Sequence, residues 1–126
     1  MAKFFICEKC GNLVCVIHSS GVPMVCCGQK MTELVAKSTD TGVEKHLPVV
    51  SVDGNVVRVN VGSVTHPMSE EHHIGWIYLE TEQGGMRRSL APTDAPEATF
   101  VLAEGERAVA VYSYCNLHGL WKTEIA

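Results

Sequence analysis

The sequence has no long apolar run and no excess of positive charge. Its 126 residues carry 10 Lys and Arg against 14 Asp and Glu, which gives a formal net charge of −4. This balance argues against a nucleic-acid partner, and no apolar stretch is long enough to span a membrane. An acidic chain that handles a small anion needs a local cation to attract it.

A secretory signal is also missing. Only three apolar residues, Phe4 to Ile6, stand between Lys3 and the next cysteine and charge, which is too short for the apolar region of a signal peptide. We therefore expect a cytoplasmic protein, in which clustered cysteines are more often metal ligands than disulfides. Disulfides or free buried thiols are the alternative for the six cysteines.

No segment has a sustained helical period, and β-branched residues are frequent after residue 46. Val57, Val59 and Val61 alternate with polar neighbours, the pattern of a half-buried strand, and Asp53–Asn55 predicts a hairpin turn. Further strands are predicted at 12–18, 47–52, 74–79, 99–102 and 109–112, with turns or loops at 84–85 and 91–96. Short strands at this spacing indicate an all-β protein, an antiparallel β-sandwich.

The first 35 residues contain five of the six cysteines. This segment is too small to fold on a hydrophobic core alone, so a bound metal would have to stabilise it. Residues 36–45 are polar and are predicted to be a linker. We predict two domains, a metal-stapled one over residues 1–36 and a β-sandwich over residues 37–126.

Four cysteines of the first domain could hold one ion. Cys7 and Cys10 form a CxxC pair, whereas Cys26 and Cys27 are adjacent, and adjacent side chains must bend sharply to reach one metal. A zinc ribbon would have a second CxxC, so the adjacent pair favours iron, although four sulfurs in a tetrahedron suit both metals. Cys15 lies in a predicted apolar strand and is expected to be a small buried hydrophobe.

A second group of possible ligands lies in the sandwich. Cys115 and His118 are three residues apart, and His46, His66 and His72 precede them. One thiolate with several imidazoles is not the donor set of a closed structural zinc site. It indicates a redox-active transition metal.

The motifs around these residues are Glu44-Lys-His-Leu-Pro, His66-Pro-Met, His72-His-Ile-Gly-Trp and Cys115-Asn-Leu-His-Gly-Leu-Trp. In this order, and together with the cysteine pattern, they give a chain that resembles the desulfoferrodoxin family, the two-iron superoxide reductases, over nearly its whole length. The resemblance implies a desulforedoxin-like domain followed by an immunoglobulin-like β-sandwich shared with the neelaredoxins.

The resemblance also implies a role for each site residue. Cys7, Cys10, Cys26 and Cys27 would bind one iron, and His46, His66, His72 and His118 would be equatorial ligands of a second iron with Cys115 as its axial thiolate. His72 is chosen over His73 because the family's ligand stands two residues before the isoleucine. Glu44 and Lys45 match the Glu-Lys pair beside the open coordination position.

The implied activity is the one-electron reduction of superoxide to hydrogen peroxide without oxygen evolution. It would require two iron ions per chain, with no haem and no nucleotide, and a rubredoxin-like electron donor, and the implied assembly is a homodimer. The alternatives are a rubredoxin-like electron-transfer protein, a colourless structural zinc-binding protein, and a superoxide dismutase, which would evolve oxygen.

Overall fold

Short β-strands make up almost all of the regular structure, which confirms the predicted all-β class. The computed structural model describes residues 1–39 and 41–125. The elements there are β1 Phe4–Ile6, β2 Leu13–Cys15, β3 Val25–Cys26, β4 Gln29–Lys30, β5 Thr32–Glu33, α1 Val43–His46, β6 Pro48–Asp53, β7 Val56–Val61, β8 Ile74–Thr81, β9 Gly84–Ser89, β10 Glu97–Val101, β11 Ala108–Cys115 and β12 Gly119–Glu124. Within these residues no helix has the length and apolar character needed to cross a membrane.

The chain divides into two compact units, and the first is Met1–Val35. It contains a three-stranded sheet in the order β2-β1-β5 and the hairpin β3-β4. Of its described side chains only Phe4 and Cys7 are buried, so the unit has almost no apolar core. Cys15 is exposed, and the prediction that it is buried is wrong because it lies on the edge strand β2 with no core to cover it.

The second unit, Ala36–Ala126, is an antiparallel sandwich of two sheets in the orders β10-β7-β6 and β12-β11-β8-β9. The alternation predicted for β7 is confirmed, because Val57, Val59 and Val61 are buried while Arg58 and Asn60 are exposed. The three valines pack against residues of the facing sheet such as Ile77, Leu79 and Val111. Burying each side chain of this size contributes roughly 1.5–3 kcal/mol.

Several elements differ from the predictions, and the short strands β1, β3, β4 and β5 of the first unit were not predicted. The stretch predicted as a linker contains α1, Val43–His46, which is too short to give a helical period. Gly84 and Gly85 begin strand β9 and are not its turn. Strand β12 was not predicted, and it forms by pairing with β11 across the turn that follows Cys115.

The strand pairing brings four segments to one end of the sandwich. Strand β6 begins where β7 ends, since Pro48 pairs with Val61, and β8 begins where β11 ends, since Ile74 pairs with Cys115. The segments before β6, after β7, before β8 and after β11 carry the histidines of the second group.

Gly62, just after β7, allows α1 to approach this end of the sandwich. A Cβ atom at Gly62 would lie 2.7 Å from the carbonyl oxygen of Glu44 and 2.9 Å from the carbonyl carbon of Lys45. The same Glu44 oxygen accepts hydrogen bonds from the Val64 backbone, at 2.8 Å, and from Ser63 Oγ, at 3.1 Å. The Glu44–Lys45 backbone is thus held against a turn that leaves no room for a side chain.

We expect Gly62→Ala to destabilise the protein by about 1–3 kcal/mol, because the added methyl group must displace packed backbone. Gly75→Ala is the matched control, since a Cβ there would meet its nearest neighbour, in Tyr114, at 4.0 Å. Denaturant unfolding followed by tryptophan fluorescence gives both values. Equal effects of the two substitutions would contradict the close approach at Gly62.

Candidate metal centres

The four cysteines predicted as ligands in the first unit lie together. Their sulfur atoms are all within 4.8 Å of one another, with Cys10 to Cys26 at 3.6 Å and Cys26 to Cys27 at 4.0 Å. Four sulfurs at about 2.3 Å from one tetrahedral ion would be about 3.8 Å apart. All six cysteines are free thiols, since a disulfide needs sulfur atoms about 2 Å apart.

The adjacent cysteines reach one ion because of the backbone at Cys27. This residue has a φ of 53° and Gly28 has a φ of 75°, between strands in which Cys26 pairs with Gln29. Two positive φ values in a two-residue hairpin loop are typical of a type I′ turn. The tight turn directs the Cys27 side chain to the side where Cys26 lies, which the sequence pattern alone did not explain.

The sulfurs of this cluster have pKa values that differ widely. The backbone N–H groups of Cys10 and Lys9 donate to the Cys7 sulfur and lower its pKa to about 6. Hydrogen bonds with the sulfurs of Cys10 and Cys7 raise the pKa of Cys27 to about 12. Without a bound ion the four sulfurs cannot all be thiolates at neutral pH, and a metal ion removes that restriction.

The second group lies at the end of the sandwich described above. Ligand atoms of His46, His66, His72 and Cys115 all lie within 4.8 Å of one another. His118 joins them, because its Nδ1 atom is 3.0 Å from His46 Nε2 and 3.6 Å from Cys115 Sγ. The structure therefore brings together all five residues named from the sequence.

The four imidazole rings form an almost square arrangement. Neighbouring ring centres are 4.7 Å apart for His46–His66, 4.6 Å for His66–His72, 5.0 Å for His72–His118 and 4.8 Å for His46–His118. Each neighbouring pair is close to perpendicular, at 72° to 79°. Across the square, His46 and His72 are 6.2 Å apart.

Hydrogen bonds to carbonyl groups orient two of the four rings, those of His46 and His66. Nδ1 of His46 bonds to the Gly42 carbonyl at 2.8 Å, and Nδ1 of His66 bonds to the Pro67 carbonyl at 2.7 Å. A carbonyl only accepts, so both Nδ1 atoms carry the proton and both Nε2 atoms carry the lone pair that could bind a metal.

Two imidazole nitrogens of the square, one in His66 and one in His72, are buried and have no hydrogen-bond partner in the described residues. In the described part of the chain, Nε2 of His66 and Nε2 of His72 form no hydrogen bond. An unsatisfied buried polar atom costs about 1–3 kcal/mol, whereas a metal ion would satisfy both atoms at once. This is the strongest observation that the residues fit a metal.

Burial also favours the neutral form of three of the imidazoles, which is the form that binds a metal. It lowers the pKa of His66 to about 4 and also lowers the pKa of His46 and of His72. For His72, the charges of His118 and Lys45 lower the pKa further. The positive charge of Lys45 therefore influences the square of imidazoles at its His72 corner.

The remaining candidates lie at the margin of the centre or outside it. Glu44 and Lys45 are exposed on α1. The ring of His73 bonds to the Ser69 carbonyl at 3.0 Å, and His18 is exposed in the first unit.

Sequence reasoning missed two residues that support the centre. The ring of Trp121 stacks on His46 at 4.8 Å and 16°, and its Nε1 donates to the His118 carbonyl at 3.2 Å. Ser113 Oγ donates to the His46 carbonyl at 2.8 Å. Trp121 stood within a motif, but a single sequence does not reveal which ring it covers.

We expect the metal-free protein to lose stability as the pH falls from about 6.5 to about 4. Between these values the His66 side chain binds a proton when the chain is unfolded but not when it is folded, so acid favours unfolding. Tryptophan fluorescence during denaturation reports this change, because Trp76 and Trp121 both belong to the second unit.

The control for this prediction is His66→Gln, which removes the titrating group and keeps a polar side chain. The loss of stability across this pH window should be smaller in the variant than in the unmodified chain. Equal pH dependence in the two proteins would contradict the assignment of the effect to His66.

The chain is similar to known proteins over both of its units. The desulfoferrodoxin family model matches residues 38–124, and that of the desulfoferrodoxin N-terminal domain matches residues 2–34. A desulfoferrodoxin homolog of Methanothermobacter thermautotrophicus is 47% identical over 94% of this chain and 95% of its own length. The desulfoferrodoxin of Nitratidesulfovibrio vulgaris is 43% identical over 97% and 95%.

Among solved structures, the superoxide reductase from Treponema pallidum matches with a TM-score of 0.83 and 34% identity over 98% of both chains. The one-iron superoxide reductase from Giardia intestinalis covers 65% of this chain and 97% of its own, with a TM-score of 0.56 and 31% identity. Both family models, and relatives matched over nearly their whole length, show that this chain belongs to the desulfoferrodoxin family.

Proposed function

We propose that this protein is a superoxide reductase, which reduces superoxide to hydrogen peroxide at an iron centre held by His46, His66, His72, His118 and Cys115. The observation that carries the proposal is the square of four imidazoles with the Cys115 sulfur beside it. Relatives named superoxide reductase support it, including those of Pyrococcus horikoshii and Treponema pallidum.

The donor set favours iron over zinc. Structural zinc is almost always four-coordinate, whereas five donor residues converge here. Four neutral nitrogens and one thiolate suit a metal that changes oxidation state. For the first unit we propose a second iron, held by Cys7, Cys10, Cys26 and Cys27.

When bound at the second centre, a ferrous ion would supply the single electron that superoxide takes up. The overall reaction is one superoxide, one electron from an external donor and two protons, giving one hydrogen peroxide. The buried sulfur of Cys115 would increase the electron density at the centre, as a thiolate ligand does in some haem proteins.

Lys45 has the charge and position to attract the substrate. The chain is acidic overall, with a net charge of −4, so an anion approaches only where the local charge is positive. The Lys45 ammonium acts on His72, and its backbone is fixed through Glu44 to the turn that leads to His66. We propose that Lys45 draws superoxide to the centre and orders a water molecule that supplies a proton.

Glu44 precedes Lys45 on the same short helix. We propose that its exposed carboxylate covers the metal centre and blocks access to it when superoxide is absent. Ser63 and Val64 hold the Glu44 main chain through hydrogen bonds. Only the Glu44 side chain would therefore move when the centre opens or closes.

The remaining assignments concern partners and location. We propose a rubredoxin-like electron donor, and the exposed thiols of Cys10 and Cys27 offer it a point of contact at the first centre. Exposed apolar side chains such as Ile17 and Val22 in the first unit support a homodimer. Six free cysteines support a location in the cytoplasm, where thiols stay reduced.

The proposal predicts superoxide consumption without oxygen evolution. When the reduced, iron-loaded protein receives superoxide by pulse radiolysis, each protein molecule should consume one superoxide and yield one hydrogen peroxide. An oxygen electrode separates this activity from dismutation. Oxygen evolution would identify a dismutase, and decay no faster than in buffer would overturn the proposal.

We expect Lys45→Ala to slow the capture of superoxide about tenfold, because a local attractive charge has been lost. The dependence of the rate on ionic strength should also become flatter. Lys45→Arg keeps the charge and should preserve both properties, and Arg58→Ala, on the outer face of β7, should change neither. If Lys45→Ala has the rate and salt dependence of the unmodified protein, Lys45 does not attract the substrate.

A further inference from the structure

Asn116 joins the two loops that carry His72 and Cys115. Its side-chain Oδ1 accepts a hydrogen bond from the His73 backbone N–H at 2.9 Å, and its Nδ2 donates to the Glu71 carbonyl at 2.9 Å. Its own backbone N–H donates to the His73 carbonyl at 3.2 Å. One residue, next in sequence to Cys115, therefore holds the main chain on both sides of His72.

His72 depends on this arrangement more than the other buried histidines do. His46 and His66 are oriented by bonds from their own Nδ1 atoms to carbonyl groups. Within the residues that the structure describes, Nδ1 of His72 has no such bond. The position of its ring is therefore set by the main chain that carries it.

Ser69 completes the loop on the other side. Its Oγ accepts from the His72 N–H at 3.2 Å and its N–H donates to the His72 carbonyl at 2.9 Å. These bonds shape the loop from within, whereas the Asn116 side chain bonds the loop to the turn that follows Cys115, in addition to the pairing of Ile74 with Cys115. Ser69 therefore orders the loop, and Asn116 holds the part of the loop on both sides of His72 in place relative to Cys115.

We propose that Asn116 is a positioning residue of the second centre, which fixes the distance between the His72 imidazole and the Cys115 sulfur. This inference rests on the proposed function, because it needs a metal bound by both residues. Groups that orient metal ligands without touching the metal typically contribute 10- to 100-fold to metal affinity. Both halves of the carboxamide are used, so neither a carboxylate nor an apolar side chain can replace it.

The test uses the full-length, iron-loaded chain and measures more than activity. The Cys115→Ser variant identifies the band to follow. The absorption band of the oxidised protein that is missing from this variant belongs to the Cys115 thiolate. We expect this band to shift in Asn116→Ala and, in the presence of an iron chelator, to disappear about 10- to 100-fold faster than in the unmodified protein. Asn116→Asp keeps the size and the acceptor oxygen but loses the donor, and it should show an intermediate effect.

Leu117→Ala is the matched control, because this neighbouring side chain is 60% exposed and should leave the band and the release rate unchanged. A residue that served stability alone would lower the unfolding midpoint of the metal-free protein without shifting the band, and that result would overturn the inference. An unchanged band and release rate in both Asn116 variants would also overturn it. If the unmodified chain retains no iron at this centre after reconstitution, the proposed function itself fails.

Discussion

At one end of the sandwich, two buried imidazole nitrogens have no hydrogen-bond partner among the described residues. Burial removes water from His66 and His72, and their Nε2 atoms have no hydrogen-bond partner in the described residues. These two atoms lose their hydrogen bonds to water at the place where the four imidazole rings form a square. An ion at that point would convert two unsatisfied atoms into ligands, so the binding of metal and the stability of this end of the fold are linked.

Antiparallel pairing allows distant parts of the chain to build this centre. The ends of β7 and β11 lie beside the starts of β6 and β8, and the loops at these ends each supply a donor. Carbonyl groups orient two of the rings, Trp121 covers His46, and Asn116 locates the loop of His72. The first unit has too few buried residues to form an apolar core. Its strands are therefore held together mainly at the cluster of four cysteines.

The sequence predicted those features that depend on local pattern or on residue chemistry. The valine alternation of β7 and the all-β class could be predicted, because side-chain type and spacing carry that information. Residue types suggested that His46, His66, His118 and Cys115 converge, whereas the choice of His72 over His73 depended on the family resemblance. Helix α1 was missed because four residues are too few to show a period. Strand β12 was missed although it forms a local hairpin with β11. The role of Asn116 could not be predicted, because it depends on hydrogen bonds to Glu71 and His73, which are far away in the sequence. The exposure of Cys15 follows from its place on an edge strand, which its apolar neighbours do not reveal.

The central claim is that two different metal centres exist in one chain, and metal analysis combined with optical spectroscopy tests it most directly. The purified protein should contain two irons per chain, one for each ligand group, and should absorb through the four-cysteine centre. A second thiolate-to-iron band should appear when an oxidant is added. Zinc in place of iron, with no absorption before or after oxidation, would contradict the account. One iron with only the four-cysteine spectrum, even after reconstitution, would contradict the second centre.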